Sequence, residues 1–193
     1  MFNGIIKYTG KVKKIHKRNN NCVLEINSKL TFKNRDIGSS VSCSGACLTL
    51  DKIKKNNMIF YVSMETIKRT NFKFLKKNDI INLEKSMIFG QRISGHFVQG
   101  HIDTTGMVSN IKYIGKSWLI SFYISKRFRK FIIYKGSIAI NGVSLTISKI
   151  IKEGFQISVI PKTLKLTNLM NLEKKDVVNV EFDMVGKYIK SFS

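Results

Sequence analysis

The sequence holds one proline, one tryptophan and three cysteines, and it carries only 12 aspartates and glutamates against 34 lysines and arginines. Each scarcity excludes something. Cys22, Cys43 and Cys47 are an odd number without framework spacing, so the chain is not a disulfide scaffold, and its thiols are expected to be free in a reducing compartment. Cys43 and Cys47 stand close in sequence, but no second cysteine pair or convergent histidine pair completes a tetrahedral zinc site. No stretch approaches the roughly 18 consecutive apolar residues that a membrane span requires. The opening MFNGIIKYTGKV lacks the basic, apolar and small-residue succession of a secretory signal, which leaves the cytoplasm as the expected location.

The shortage of acid produces a formal net charge of +22. That invites a nucleic-acid reading, because lysine and arginine displace counterions from phosphates. The distribution argues against it. Lysine far outnumbers arginine, isoleucine and asparagine are abundant, and alanine and proline are scarce, the pattern that drift toward A/T-rich codons leaves behind. The lysine pairs (Lys13 and Lys14, Lys54 and Lys55, Lys76 and Lys77, Lys174 and Lys175) are scattered at expected turns and strand ends. Charge of this kind bears on solubility rather than on fold. What the chain has in quantity is apolar bulk, with 43% hydrophobic residues and 13 phenylalanines over 193 residues. That suffices for one ordinary domain or two small ones.

An internal repeat favours two. SGACLTLDKI from Ser44 and NGVSLTISKI from Asn141 share one pattern, with Gly45, Leu48, Thr49 and Ile53 answered by Gly142, Leu145, Thr146 and Ile150. Upstream, Gly4, Gly10, Val12 and Ile15 match Gly100, Gly106, Val108 and Ile111. Downstream, Thr66, Thr70 and Asn71 match Thr163, Thr167 and Asn168, and Leu75, Asp79, Asn82 and Glu84 match Leu172, Asp176, Asn179 and Glu181. The chain is a duplicated unit with a junction near residues 86 to 96.

Within each unit the hydrophobic period is mainly two, the strand signature. Trp118, Ile120, Phe122 and Ile124 alternate with more polar neighbours, as do Phe155, Ile157 and Val159, and Val178, Val180 and Phe182. Asn56-Asn57 and Glu153-Gly154 supply residues suited to tight hairpins. Only short helices fit between strands, at Ser125 to Tyr134 and after Thr66. The expected fold is all-β: two tandem homologous six-stranded closed β-barrels, closure being the usual way to remove exposed edges. The boundaries are expected at residues 1–90 and 91–184, with 185–193 a short C-terminal helix or tail.

MFNGII at the start, GHFVQGHIDTTG from Gly95 to Gly106, the two GxxLT elements and the closing VNVEFDMVGKYI together resemble the riboflavin synthase family of the trimeric, two-barrel kind. The resemblance runs from Met1 to about Ile189. It implies a transferase working without a cofactor or metal. Two molecules of 6,7-dimethyl-8-ribityllumazine exchange a four-carbon unit, giving riboflavin and 5-amino-6-(D-ribitylamino)uracil. It also implies a homotrimer whose active sites lie between the N-terminal barrel of one subunit and the C-terminal barrel of its neighbour, and association with lumazine synthase. No nucleic-acid or membrane partner is implied. Holding two substrates face to face removes an entropic barrier worth on the order of 7 to 11 kcal/mol, which gives the duplication a chemical reason.

Carried over motif by motif, the resemblance places Phe2 in the segment that closes the site. It places Gly4, Ile5, Ile6, Ser40, Cys47, Leu48, Thr49, Tyr61, Val62, Ser63, Met64, Glu65 and Thr66 at substrate in the N-terminal barrel. Their partners in the other barrel are Gly100, His101, Ile102, Lys135, Ser144, Leu145, Thr146, Ser158, Val159, Ile160, Pro161, Lys162 and Thr163. Strand backbone groups suit a pyrimidinedione edge, and small hydroxyls suit a ribityl chain. The chemistry needs a base for the C7 methyl of one lumazine and a nucleophile at C7 of the other. The resemblance assigns His101, Ser144 and Thr146 to the deprotonating side, Cys47 to the electrophilic carbon, directly or by orienting water, and Asp183 as the acidic member. His16, His96, Cys22 and Cys43 read as structural or surface residues, and Thr70 and Thr167 as matched turn or cap positions.

Two positions depart from the pattern. Ser44 stands where the second GxxLT element has Asn141, and Asn3 stands where the opening motif usually has threonine. Two other readings compete: a noncatalytic lumazine- or flavin-binding antenna protein of the same fold, and a basic barrel that binds single strands. The latter wants aromatics and basic residues interleaved on one strand face, which the sequence does not show.

Overall fold

The computed structural model describes residues 1–18 and 21–192. Strands β1 (Tyr8–Arg18), β2 (Asn21–Ser28), β3 (Ser40–Cys43), β4 (Ala46–Lys54), β5 (Asn57–Ser63) and β6 (Ile80–Lys85) form the first unit, with helix α1 (Met64–Arg69) before β6. The second unit has β7 (Thr104–Ile114), β8 (Ser117–Tyr123), β9 (Ser137–Ile140), β10 (Val143–Ile151), β11 (Gly154–Val159), helix α2 (Pro161–Leu166) and β12 (Val177–Phe182). Helix α3 (Met184–Ser191) ends the described chain. The segment after Ser125 forms a 3-10 helix, Lys126–Phe131, in place of an α-helix.

Both units close into antiparallel barrels, ordered β1-β2-β5-β4-β3-β6 and, equivalently, β7-β8-β11-β10-β9-β12. The duplication extends to the irregularities. Register shifts fall between Val12 and Lys14 and, in the copy, between Val108 and Asn110. Another pair falls between Leu50 and Lys52 and between Ile147 and Lys149. Bulges of this kind bend and twist strands, so both barrels turn their corners at the same places. In the β4–β5 hairpin the left-handed residue is Lys55, at φ 56°, not the neighbouring asparagine that the turn chemistry pointed to.

Period-two burial fills each barrel. Leu24, Ile26, Leu50, Phe60 and Leu83 lie in the first core, and Ile120, Phe122, Phe155, Ile157 and Val180 in the second. Strands β6 and β12 break the pattern, because their polar positions Asn82, Asn179 and Glu181 are buried too. Their outer faces meet the other half of the molecule.

The contact between halves is a pseudo-two-fold crossing. Phe2 and Val98 pair antiparallel, with N–H···O distances of 2.7 and 3.1 Å, and each segment continues onto the opposite barrel. Ile6 belongs to the second core, while Ile102 packs against the first. Across the same axis, Asn82 Nδ2 donates to the Asn141 carbonyl and Asn179 Nδ2 to the Ser44 carbonyl, both at 2.9 Å. Asn168 N–H donates to Asn82 Oδ1 and Asn71 N–H to Asn179 Oδ1, both at 2.7 Å. Buried polar groups must be partnered, and here the two barrels satisfy each other.

Ser44 and Asn141 hold the same turn in two ways. Their φ values are 43° and 46°. Ser44 Oγ accepts from Asn82 N–H at 3.2 Å, where Asn141 Oδ1 accepts from Asn179 N–H at 2.8 Å. The substitution keeps the bond with a shorter side chain.

Candidate active site

Each crossing segment presents a glycine to a β4-type strand. Cys47 N–H donates to the Gly100 carbonyl, and Ser144 N–H to the Gly4 carbonyl, both at 2.8 Å. A Cβ on Gly100 would lie 2.6 Å from Cys47 Cβ, and one on Gly4 would lie 2.6 Å from Ser144 Cβ. With φ of +84° and +72°, glycine meets both the conformational and the steric requirement. Cys47 and Ser144 thus occupy one position in two matched half-sites, each touched by the segment that belongs to the other barrel.

Around Cys47 a cavity of about 210 Å³ is lined by Ala46, Cys47, Glu65, Thr66, Arg69, Thr70, Gly100, His101 and Ile102. Glu65 and Arg69 form an ion pair one helical turn apart on α1. Phe2 is fully buried and packs with Val98, Ala139 and Cys47, behind the cavity rather than on its lining. Larger hollows, of about 460 and 570 Å³, lie under the Asn71–Asn168 seam and beside Glu84. Neither includes Cys47, His101 or Ser144.

Around Ser144 the imidazole is that of His96. His96 Nδ1 and Ser144 Oγ are 2.7 Å apart, and His96 Nε2 is buried without a hydrogen-bond partner among the described residues. Burial pushes the His96 imidazole below its ordinary value, while the negative charge of Asp183 pulls it upward. A neutral imidazole bonded to a serine hydroxyl beside a carboxylate can accept or relay a proton. Asp183 also caps α3, its Oδ1 accepting from Val185 N–H at 3.1 Å. Thus within one chain His101 faces Cys47, and the histidine at Ser144 is His96, which the sequence had left as structural. His96 stands inside GHFVQGHIDTTG but in the connector between the two copies, where the repeat gives it no counterpart.

The other candidates divide by burial. The side chains of Ile6, Leu48, Val62 and Val159 are committed to the cores, and Leu145 packs against the second core. The four buried ones can meet a ligand only through their backbones. Ser63 Oγ is used as the cap of α1, accepting from Thr66 N–H at 3.1 Å. Ile5, Thr49, Tyr61, Thr146, Ser158, Ile160, Pro161 and Lys162 are exposed, and Met64 and Thr163 are half-buried. Ser40 pairs with Thr49, and the residue that pairs with Thr146 is Ser137. Ser137 is therefore the structural counterpart of Ser40. Lys135, at φ 63°, answers Gly38: Lys135 N–H donates to Ile147 O as Gly38 N–H donates to Leu50 O.

Asn3 explains its own presence. Its Oδ1 accepts from Ser94 and Gly95 N–H at 2.9 and 3.2 Å, and its Nδ2 donates to Arg92 O at 2.8 Å. It pins the connector that carries His96. Thr70 and Thr167 cap matched 3-10 turns. Burial raises the Cys43 thiol, which removes it from nucleophilic chemistry.

The family model described as Lumazine binding domain matches residues 3–86 and again residues 99–183. Riboflavin synthase of Actinobacillus pleuropneumoniae is 40% identical over 192 residues, covering 100% of this chain and 89% of that protein. The chain belongs to the riboflavin synthase family. Among other members, riboflavin synthase of Bacillus subtilis (strain 168) is 34% identical, with coverage of 100% and 89%. A crystal structure of LumP complexed with 6,7-dimethyl-8-(1'-D-ribityl) lumazine superposes with a TM-score of 0.82 at 28% identity. It covers 94% of this chain and 99% of LumP. The two matched stretches of this family member are the two barrels.

Proposed function

We propose that the chain converts two molecules of 6,7-dimethyl-8-ribityllumazine into riboflavin and 5-amino-6-(D-ribitylamino)uracil, with one lumazine held at each type of half-site. The observation that carries this is the pairing of Cys47 with Ser144: the same backbone position, the same crossing glycine, and a different reactive group. A dismutation of two identical molecules needs such a pair, because one must lose a proton while the other is attacked. On the Ser144 side the Ser144–His96 bond supplies a base for the C7 methyl, with Asp183 favouring the protonated imidazole that results. On the Cys47 side Cys47 and His101 meet the electrophilic carbon, and Glu65 and Arg69 edge the pocket.

A cavity of about 210 Å³ is smaller than the roughly 300–1,000 Å³ usual for ligands of this size. A second surface is therefore needed to close it, which supports the face of a neighbouring subunit. Val185, Tyr188, Ile189 and Phe192 are exposed on and just after α3 at helical spacing, an apolar stripe suited to assembly. On this reading the protein is a homotrimer. It works in the cytoplasm and can associate with lumazine synthase. Among the described residues no helix is long and apolar enough to cross a membrane.

The test is incubation of the purified protein with the lumazine and nothing else, followed by detection of riboflavin. A stoichiometric fluorescent complex that never turns over would replace the enzyme by a binding protein. Steeply salt-dependent binding to an oligonucleotide would revive the nucleic-acid reading.

A further inference from the structure

Glu84, half-buried, and Glu181, buried, are matched carboxylates that the reaction itself does not require. Glu84, on β6, accepts from Asn3 N–H at 2.9 Å and Gly4 N–H at 3.0 Å. Glu181, on β12, accepts from the N–H groups of Gln99, Gly100 and His101 at 2.6, 2.9 and 3.1 Å. Both crossing segments lie outside the barrel strands, so these carboxylates take the place of a strand partner for them. The next bond crosses the molecule: Gly4 O receives Ser144 N–H, and Gly100 O receives Cys47 N–H. Each path runs from a carboxylate of one barrel, through a crossing segment, to the reactive strand of the other.

We propose that Glu84 and Glu181 are positioning residues, one for each half-site: Glu84 sets Gly4 against Ser144, and Glu181 sets Gly100 and His101 against Cys47. The assignment rests on the reading of both half-sites as parts of one reaction. Burying a carboxylate is unfavourable unless hydrogen bonds replace its water, and Glu181 is only 1% exposed. Its two oxygens serve three donors, which only a carboxylate can do fully. A glutamine there offers one acceptor and turns an NH2 group toward a backbone N–H. The consequence is a displaced segment rather than an empty space.

Two assays on the full chain separate positioning from general support of the fold. Wild type, Glu84→Gln and Glu181→Gln are compared for lumazine turnover and for the rate at which iodoacetamide modifies Cys47, located by mass. Cys22 and Cys43 are fully buried, so the fast-reacting thiol is Cys47. Both variants should lower kcat, by up to about 100-fold for a displacement near 1 Å, with KM changing much less. Only Glu181→Gln should change the Cys47 rate, by about five-fold for one lost hydrogen bond. Equal changes in the Cys47 rate for both variants, no change in either, or an unaltered kcat would each overturn the proposal. If a variant does not fold, amide exchange of the wild type decides. Asn3, Gly4, Gln99, Gly100 and His101 should exchange as slowly as strand amides, and exchange at open-loop rates would contradict the assignment. A wild type that forms no riboflavin would remove the reaction but leave the thiol and exchange results to judge the positioning.

Discussion

At Cys47 the wall is built by Gly100, His101, Glu65 and Arg69. At the matching places around Ser144 stand Gly4, Ile5, Lys162 and Leu166. The backbone devices are the same in both halves: a left-handed glycine, a 2.8 Å bond from the reactive residue's N–H, and a carboxylate behind the crossing segment. The polar side chains are not. Each half-site has one histidine, but His101 comes from the crossing segment, whereas His96 comes from the connector. Asp103, bonded to Lys187 at 3.0 Å, stands where the first half has Lys7. The difference teaches that duplication kept the backbone frame of each half-site and changed the titratable side chains set on it.

Removing the imidazoles should break the comparison most. His101→Gln and His96→Gln are each expected to lower kcat by about 100-fold or more, the scale of lost general acid–base help, while lumazine affinity changes much less. Ser144→Ala should do the same. Steady-state kinetics beside equilibrium fluorescence titration would check this, and equal losses in binding and turnover would contradict the roles.

The next largest effect is steric and should be the same on both sides. Gly100→Ala and Gly4→Ala each bring a Cβ to 2.6 Å from a neighbouring Cβ, so each should destabilise by about 1–3 kcal/mol, measured by denaturant unfolding. A large effect at one glycine only would show that the pseudo-two-fold crossing is not shared equally. Asn82→Ala and Asn179→Ala should likewise match each other, at about 1–3 kcal/mol for a buried donor or acceptor left bare.

A smaller effect concerns pH. Burial raises the Glu181 carboxyl from its ordinary value of 4.5 to about 7, against the Gln99 and Gly100 hydrogen bonds that lower it. The folded chain therefore holds this proton more tightly than the unfolded one. Its stabilising contribution is complete below pH 4.5 and is lost as pH rises through 7. His96, lowered by burial, acts in the opposite direction: its contribution is present above its ordinary value of 6.5 and lost as pH falls. Thermal unfolding from pH 4 to 8 should show a shallower decline in Glu181→Gln than in wild type. The smallest change expected is in Lys187→Met, at under about 1 kcal/mol for a partly exposed ion pair.

The barrels were legible because each rests on alternation that a sequence displays, as in Ile120, Phe122, Phe155 and Ile157. The repeat added the matched asparagines and glutamates, and the structure shows why they are paired: they face the other barrel. Cys47, Glu65, Thr66, Gly100, His101 and Ile102 line one cavity, whereas the resemblance puts the first three and the last three in opposite half-sites. What stayed hidden depends on the crossing. Ile6 reads as part of the first barrel yet fills the second core. His96 reads as a linker histidine because its partner, Ser144, is distant in sequence and near only after the segments exchange. The resemblance sets Lys135 opposite Ser40, whereas strand register makes Ser137 the counterpart of Ser40.

The most direct measurement counts both products when the lumazine is the sole substrate. The account predicts two molecules consumed for each riboflavin formed, with one 5-amino-6-(D-ribitylamino)uracil released beside it and no added cofactor. A bound lumazine that stays unchanged, or riboflavin formed without an equal amount of the pyrimidine, would contradict it.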